Sequence, residues 1–204
     1  MSSESFWAAN QVGGPYYTME ESWTALRERQ LLYPTLLNLM PIEHPGKIVL
    51  DYGCGPGHDT ILLCQNGATD VYYYDFSPLA LKITTDRLRI HGLSYRAMVF
   101  EERLAPVDHI HCAGVLHHTE DPEAILLGFR RWIKPDGEAR VMIYDGDRSA
   151  TTQSLVPITL WWTEKQFTEM SNTAGFDAEY MGGYDCSAPW RPDCVAACYR
   201  LTPC

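Results

Sequence analysis

Lys47-Ile-Val-Leu-Asp-Tyr-Gly-Cys-Gly-Pro-Gly57 is the stretch that decides the fold. Ile48, Val49 and Leu50 form a short apolar run of the kind that fills a strand buried on both faces. Asp51 ends the run. Gly53, Gly55 and Gly57 then permit a tight turn and let a ligand approach the main chain closely. Thr60 to Asn66 continues with helix-compatible spacing. A strand, a glycine turn and a helix start together predict a nucleotide-type cofactor site.

The spacing narrows the cofactor. A dinucleotide fingerprint needs a third glycine, G-x-G-x-x-G, and His58 stands in its place. Asp51 immediately precedes the turn, where a carboxylate repels a pyrophosphate but can take an ammonium or a hydroxyl. Val71-Tyr-Tyr-Tyr-Asp75 reads as the second strand. Asp75 lies 24 residues after Asp51, near the interval of about 20 expected for a ribose-binding acid. Its carboxylate can accept both ribose hydroxyls. Phe76 follows and could lie against an adenine face.

Asp51-Tyr-Gly-Cys-Gly-Pro-Gly57 resembles motif I of the class I S-adenosylmethionine-dependent methyltransferases, hydrophobic-hydrophobic-Asp/Glu-x-Gly-x-Gly-x-Gly. Two further stretches carry the likeness. Cys112-Ala-Gly-Val-Leu-His-His118 with Asp121-Pro122 resembles the segment after strand four in the small-molecule enzymes of that family. Phe129-Arg-Arg-Trp-Ile-Lys-Pro-Asp-Gly137 resembles the Lys-Pro-Gly-Gly turn before strand five, with Asp136 as a departure that still suits a turn. The resemblance covers about residues 45–181. It implies an α/β fold, a Rossmann-like, mostly parallel seven-stranded sheet with helices on both faces and an antiparallel last strand. It also implies S-adenosyl-L-methionine as cofactor and methyl transfer to an oxygen or nitrogen of a small molecule. The cofactor-contacting residues it implies are Tyr16, Asp51, Gly53, Cys54, Gly55, Asp75, Phe76, Glu101 and Cys112. Asp51 would sit near the methionine ammonium, and Gly53 and Gly55 under the methionine and ribose. Either Glu101 or Glu102 would reach the adenine amine, and Tyr16 and Tyr17 would be lid groups. His117 and His118 stand at the sheet's carboxyl edge, where a histidine can serve as general base; hydrogen bonding to a backbone carbonyl is the other reading of each.

Between these motifs the elements alternate. Ser77 and Pro78 start a helix that stops at His91-Gly92, Tyr95–Phe100 is a third strand and Val107–Cys112 a fourth. Pro122–Ile133 is a helix, Lys134–Gly137 a turn and Ala139–Tyr144 a fifth strand. Asp145–Ser154 is a candidate substrate loop. A capping box at Thr163 and Gln166 opens a helix ending at Gly175, and Phe176–Met181 and Cys194–Leu201 are closing strands. Residues 1–17 carry Gly13-Gly14-Pro15, which predicts no regular structure. Thr18 and Glu21 start a helix with Trp23, Leu26, Leu32, Leu36 and Leu37 on one face, broken at Pro34 and ended by Pro41. The chain reads as one domain, with residues 1–44 a helical arm or lid and 45–204 the cofactor-binding core.

The bulk properties set limits. Across 204 residues the formal net charge is −10, and Lys and Arg are scattered. That argues against nucleic acid or an anionic membrane surface as partner. No stretch approaches a transmembrane length, and Met1–Trp7 carries no basic or long apolar segment, so a cytoplasmic protein is expected, monomeric or homodimeric. Seven cysteines lack zinc-ribbon spacing and read as reduced thiols, with no metal site expected. No Asn/Asp-Pro-Pro-Tyr/Phe or Pro-Cys motif follows strand four, as nucleic-acid methylation would want. The competing reading is a regulatory protein that binds S-adenosylmethionine or S-adenosylhomocysteine without turnover.

Overall fold

The apolar run at residues 48–50 lies in the middle of the sheet in the computed structural model, which describes residues 3–10, 13–32, 34–94, 97–101, 106–149, 156, 158–187 and 193–204. Strand β1 (Ile48–Tyr52) pairs in parallel with β2 (Asp70–Tyr74) on one side and β4 (Val107–Ala113) on the other. Leu50 stands opposite both Tyr72 and Ile110. Strand β3 (Ala97–Val99) adds outside β2 and β5 (Ile133–Tyr144) outside β4, again in parallel. Strand β7 (Val195–Pro203) runs antiparallel to β5, and β6 (Phe176–Asp185) antiparallel to β7. The order is β3-β2-β1-β4-β5-β7-β6, a mostly parallel sheet with one reversed strand.

Val49 and Leu50 point to opposite faces and both are fully buried, because each face carries its own core. Val49 packs with Ile61 and Leu63 of helix α4 (His58–Gln65) and Leu88 of α5 (Pro78–Ile90). Leu50 lies with Phe129 of α6 (Pro122–Trp132) and Phe167 of α7 (Glu164–Thr173). The helix starts follow local chemistry. Ser77 accepts from Ala80 N at 3.3 Å with Pro78 in the first turn, and Asp121 accepts from Ala124 N at 2.9 Å. Thr163 and Gln166 close a reciprocal capping box.

Three expectations change. Gly13-Gly14-Pro15 predicts an irregular 1–17, yet Ser3–Ala9 forms a helix, α1. Seven residues are too few to hold a helix alone. Tertiary contact supplies the rest, with Trp7 against His118 at 5.2 Å between ring centroids. Lys134–Gly137, read as a turn, belongs to β5 as an irregularity: Val107 pairs with Ile133 and His109 with Glu138, so four residues stand opposite Asp108 alone. Lys134 Nζ donates to Asp108 Oδ1 at 2.7 Å across it. The arm breaks before Pro34 as expected, into α2 (Met19–Leu32) and α3 (Pro34–Leu39), but its apolar residues do not share one buried face: Leu26 and Leu36 are buried while Trp23 is 37% exposed and lies on His91. The expected side chain of Leu32, Tyr95 of the third strand, and the link at 103–105 lie outside the described residues.

No helix among the described residues is long and apolar enough to cross a membrane. Phe129 is fully buried and Leu127, on the same helix, is 45% exposed. Phe129→Ala should cost about 3–5 kcal/mol and Leu127→Ala less than about 0.5 kcal/mol, read from denaturant midpoints. Equal losses would mean that the α6 face is wrongly assigned.

Candidate active site

The carboxyl ends of β1, β2, β4 and β5 open onto a cavity of about 830 Å³. It sits where the strand order turns, β2 leading one way from β1 and β4 the other, the place where ligands settle in open α/β sheets.

The glycine turn forms its floor. Gly53 N and Cys54 N both donate to Tyr74 O, at 2.8 and 2.9 Å, which fastens the turn to the end of β2. Gly53 has φ +80°, and a Cβ there would come within 2.1 Å of Val115 Cγ2, so the loop after β4 packs directly on this backbone. Gly55 has φ +51°, lines the cavity, and a Cβ there would meet no protein atom within 4 Å. That open space above the main chain is room for a ligand. Gly57, also left-handed, caps α4.

Asp51 lines the cavity and is 2% exposed. Its Oδ2 accepts from Thr60 Oγ1 at 2.6 Å. Burial pushes its carboxyl up to about 6, against the opposing pull of His111. Beside it Asp59, in the first turn of α4, receives Arg29 Nε at 2.9 Å on Oδ1 and the Arg29 fork on Oδ2. His111 Nε2 donates to Asp59 Oδ2 at 3.2 Å. Burial alone would raise Asp59, but Arg29 and His111 outweigh it and hold the carboxyl well below its usual range. His111 is buried, which disfavours its charge, yet the Asp59 hydrogen bond and Coulomb attraction raise it.

Asp75 stands at the end of β2 and lines the cavity. Oδ2 accepts from Gly55 N at 3.0 Å and Oδ1 from Ser77 N at 2.9 Å. Each carboxylate oxygen has a second lone pair, so two further donors can be taken. Burial raises this carboxyl, and the two N–H groups oppose the rise. Phe76 lines the cavity next to it.

The opposite wall comes from α1 and α3, the loop after β4, and β5 with β6. Trp7, Leu36, His118, Met142, Tyr144 and Tyr184 contribute from these elements. His118 Nδ1 lies 3.0 Å from Ile158 O. A carbonyl can only accept, so Nδ1 carries a proton there. His117 points elsewhere. It is fully buried and stacks on Tyr144 at 3.7 Å, and it does not line the cavity.

The structure thus brings together Asp51, Gly53, Cys54, Gly55, Asp75, Phe76 and His118. It leaves Tyr16, Glu101, Cys112 and His117 outside the cavity lining. Cys112 alternates away from His111 on β4 and is buried in the core beneath the sheet. Tyr16 lies against the Arg87 guanidinium at 4.3 Å instead, and Tyr17 is 78% exposed. Glu101 is exposed, and its alternative, Glu102, is outside the described residues. Sequence reasoning missed Arg29, Asp59, Trp7 and Tyr184 in the lining. Asp59 alone had a local signal, an acid in the first turn after the glycines.

Residues 24–179 match the family described as "Methyltransferase domain". The chain is 36% identical over 102 residues to a ubiquinone biosynthesis O-methyltransferase of Xylella fastidiosa, 45% of this chain and 39% of that protein. It is 33% identical over 119 residues to a tRNA U34 carboxymethyltransferase of Shewanella frigidimarina, 54% of this chain and 35% of that one. The chain therefore spans well under half the length of these curated relatives. Among solved structures it is similar to the magnesium protoporphyrin IX methyltransferase of Synechocystis with bound S-adenosylmethionine, at TM-score 0.62 and 17% identity, covering 94% of this chain and 87% of that one. That likeness is one of fold. With the family match covering most of its length, this chain belongs to the methyltransferase domain family.

Proposed function

We propose that this chain is an S-adenosylmethionine-dependent methyltransferase acting on a small molecule. The observation that carries this is the meeting of Asp51, Gly55 and Asp75 around open space at the sheet's carboxyl edge. Family membership and the structural likeness to an enzyme with bound S-adenosylmethionine support it. Bound there, the cofactor supplies a sulfonium methyl group that an acceptor can take in one displacement.

The chain's own residues bind and align. Asp51 offers its carboxylate to the methionine ammonium, Asp75 takes the ribose diol, and Gly55 leaves room for the close approach. Phe76 lies along the base. His118 lines the cavity with Nδ1 bonded to Ile158 O and is the candidate general base for a hydroxyl acceptor. Residues 1–44 act as a lid, through Trp7 and Arg29 in the lining. Arg29, the lining cation, is already spent on Asp59. The rest of the acceptor wall is mostly aromatic and apolar, with Asn10, His118 and Thr119 as polar groups, which favours an uncharged or cationic small molecule with an oxygen or nitrogen nucleophile. The scattered positive charge and net −10 favour such an acceptor over nucleic acid, and a cytoplasmic monomer or homodimer accords with the reading.

Asp75→Ala should weaken S-adenosylhomocysteine binding about tenfold to a hundredfold, one charge-assisted site at about 1.5–3 kcal/mol. Unchanged calorimetric affinity would sink the ribose assignment. Gly55→Val should abolish that binding and also lower Tm, because the new side chain enters the cavity while φ +51° strains a β-branched residue; normal binding would mean that the turn is structural only. A methyl-transfer screen over phenols, amines and carboxylic acids then decides between an enzyme and a binding protein without turnover.

Asp51 makes a pH prediction. Its carboxyl is held up at about 6, so it is ionised above that and protonated below. Affinity for S-adenosylhomocysteine, whose ammonium stays charged, should be level above about pH 7. It should fall by at most about tenfold per pH unit below about pH 6. Asp51→Asn should flatten the profile. A wild-type affinity constant across that range would remove Asp51 from the ammonium site.

A further inference from the structure

Arg87 of α5 is fully buried. Among the described residues no carboxylate pairs with it. Its partners are neutral and belong to two other parts of the chain. NH1 donates to Pro56 O at 2.6 Å, inside the glycine turn. Nε donates to Ser22 Oγ at 2.9 Å and NH2 to Ser22 O at 3.2 Å, both on α2 of the N-terminal arm. The ring of Tyr16, also in the arm, lies 4.3 Å from the guanidinium carbon. NH1 further approaches His58 Nδ1 at 3.4 Å, and burial, with Arg87 and Arg29 nearby, pushes His58 down to about 3. His58 therefore meets Arg87 as a neutral ring.

A buried guanidinium without a counter-ion is costly to keep. A hydrophobic side chain of the same length would fill this space without that cost. What only a planar fork can do is donate in several fixed directions at once. Here those directions join the turn to the arm. Thr84, one helical turn before Arg87, completes the grip: its Oγ1 donates to Gly55 O at 2.9 Å. Two consecutive carbonyls of the turn are thus held by α5, and the arm is held by the same helix.

We propose that Arg87 is a positioning residue that docks the N-terminal arm onto the glycine turn, so that arm closure and the shape of the cofactor floor are set together. The proposal rests on the reading of that turn as the cofactor floor. It assigns Tyr16 a place behind the site, under Arg87, in place of the lid-face role that its sequence position suggests. It also gives Ser22 a function: its hydroxyl meets both Arg87 Nε and His91 Nε2, the latter at 2.8 Å.

The test uses the full chain with S-adenosylhomocysteine as probe. Arg87→Lys keeps the charge but cannot fork between Pro56 and Ser22. Ser22→Ala removes one arm acceptor and leaves the turn contact intact. Hydrogen exchange at the α2 amides, without ligand, reads arm docking; calorimetry reads the cofactor floor; Tm monitors folding. The expected result is faster α2 exchange in both variants. S-adenosylhomocysteine affinity should fall about tenfold for Arg87→Lys and less for Ser22→Ala. The double variant should lose no more than Arg87→Lys alone, since both act through one contact. Faster α2 exchange in Arg87→Lys with unaltered affinity would overturn the coupling. Unaltered exchange with intact Tm would overturn the docking. Wild-type protein that shows no binding of the probe, yet the same exchange pattern, would instead remove the cofactor reading beneath the proposal.

Discussion

Asp59 is the charge that the site depends on. It occupies the first turn of α4, where the helix's free N–H groups already favour an anion. Arg29 reaches it from the arm and His111 from β4. One carboxylate therefore ties a helix, a strand and an N-terminal segment that are far apart in sequence. Removing one partner of such a buried group leaves the other uncompensated, a loss of about 3–5 kcal/mol in comparable cases. The glycine turn sits between these anchors, so its shape is inherited from them.

Asp51 shows what that arrangement leaves over. Asp59 absorbs the Arg29 cation and draws on His111, and Asp51 keeps a hydroxyl partner, Thr60. Its folded pKa lies above the unfolded value, so the fold favours the protonated form. The sign is then fixed. At low pH, with the group protonated in both states, it costs nothing; above about 6 it opposes folding by on the order of 3 kcal/mol. An ammonium delivered to the cavity would relieve that opposition. On the proposed reading of Asp51 as the ammonium partner, that relief would add to binding.

Much of the fold is legible in the sequence because its signals are local. Ile48–Leu50 is apolar throughout and is followed closely by the glycine turn, a combination that suits a short strand covered on both faces. Ser77-Pro78 and Thr163 with Gln166 mark helix starts by hydrogen bonds made within a few residues. Asp51, Gly55 and Asp75 are readable for the same reason: their positions follow from where each strand ends. The misses are those that need three dimensions. Arg29 belongs to a helix whose periodicity says only which side is apolar. Cys112 and His111 are neighbours, and the phase of β4 turns one to the core and the other to Asp59. His117 and His118 are indistinguishable as a pair until the short helix at residues 116–118 sends one ring to Tyr144 and the other to the cavity. Helix α1 is too short to announce itself and is held by Trp7.

The reversed strand has a consequence for how the chain assembles. Among the described residues strand β6 pairs only with β7, and β7 joins it to the sheet through β5. During vectorial synthesis β6 emerges before the strand that will hold it. It has no sheet neighbour until residues 195–203 insert beside residues 139–144. The five parallel strands can condense with their crossover helices while the chain is still growing, but this edge cannot. Completion of the Tyr184 wall therefore waits on a pairing across more than fifty residues, a late and non-local step whose rate is set by loop closure rather than by the stability of the finished sheet.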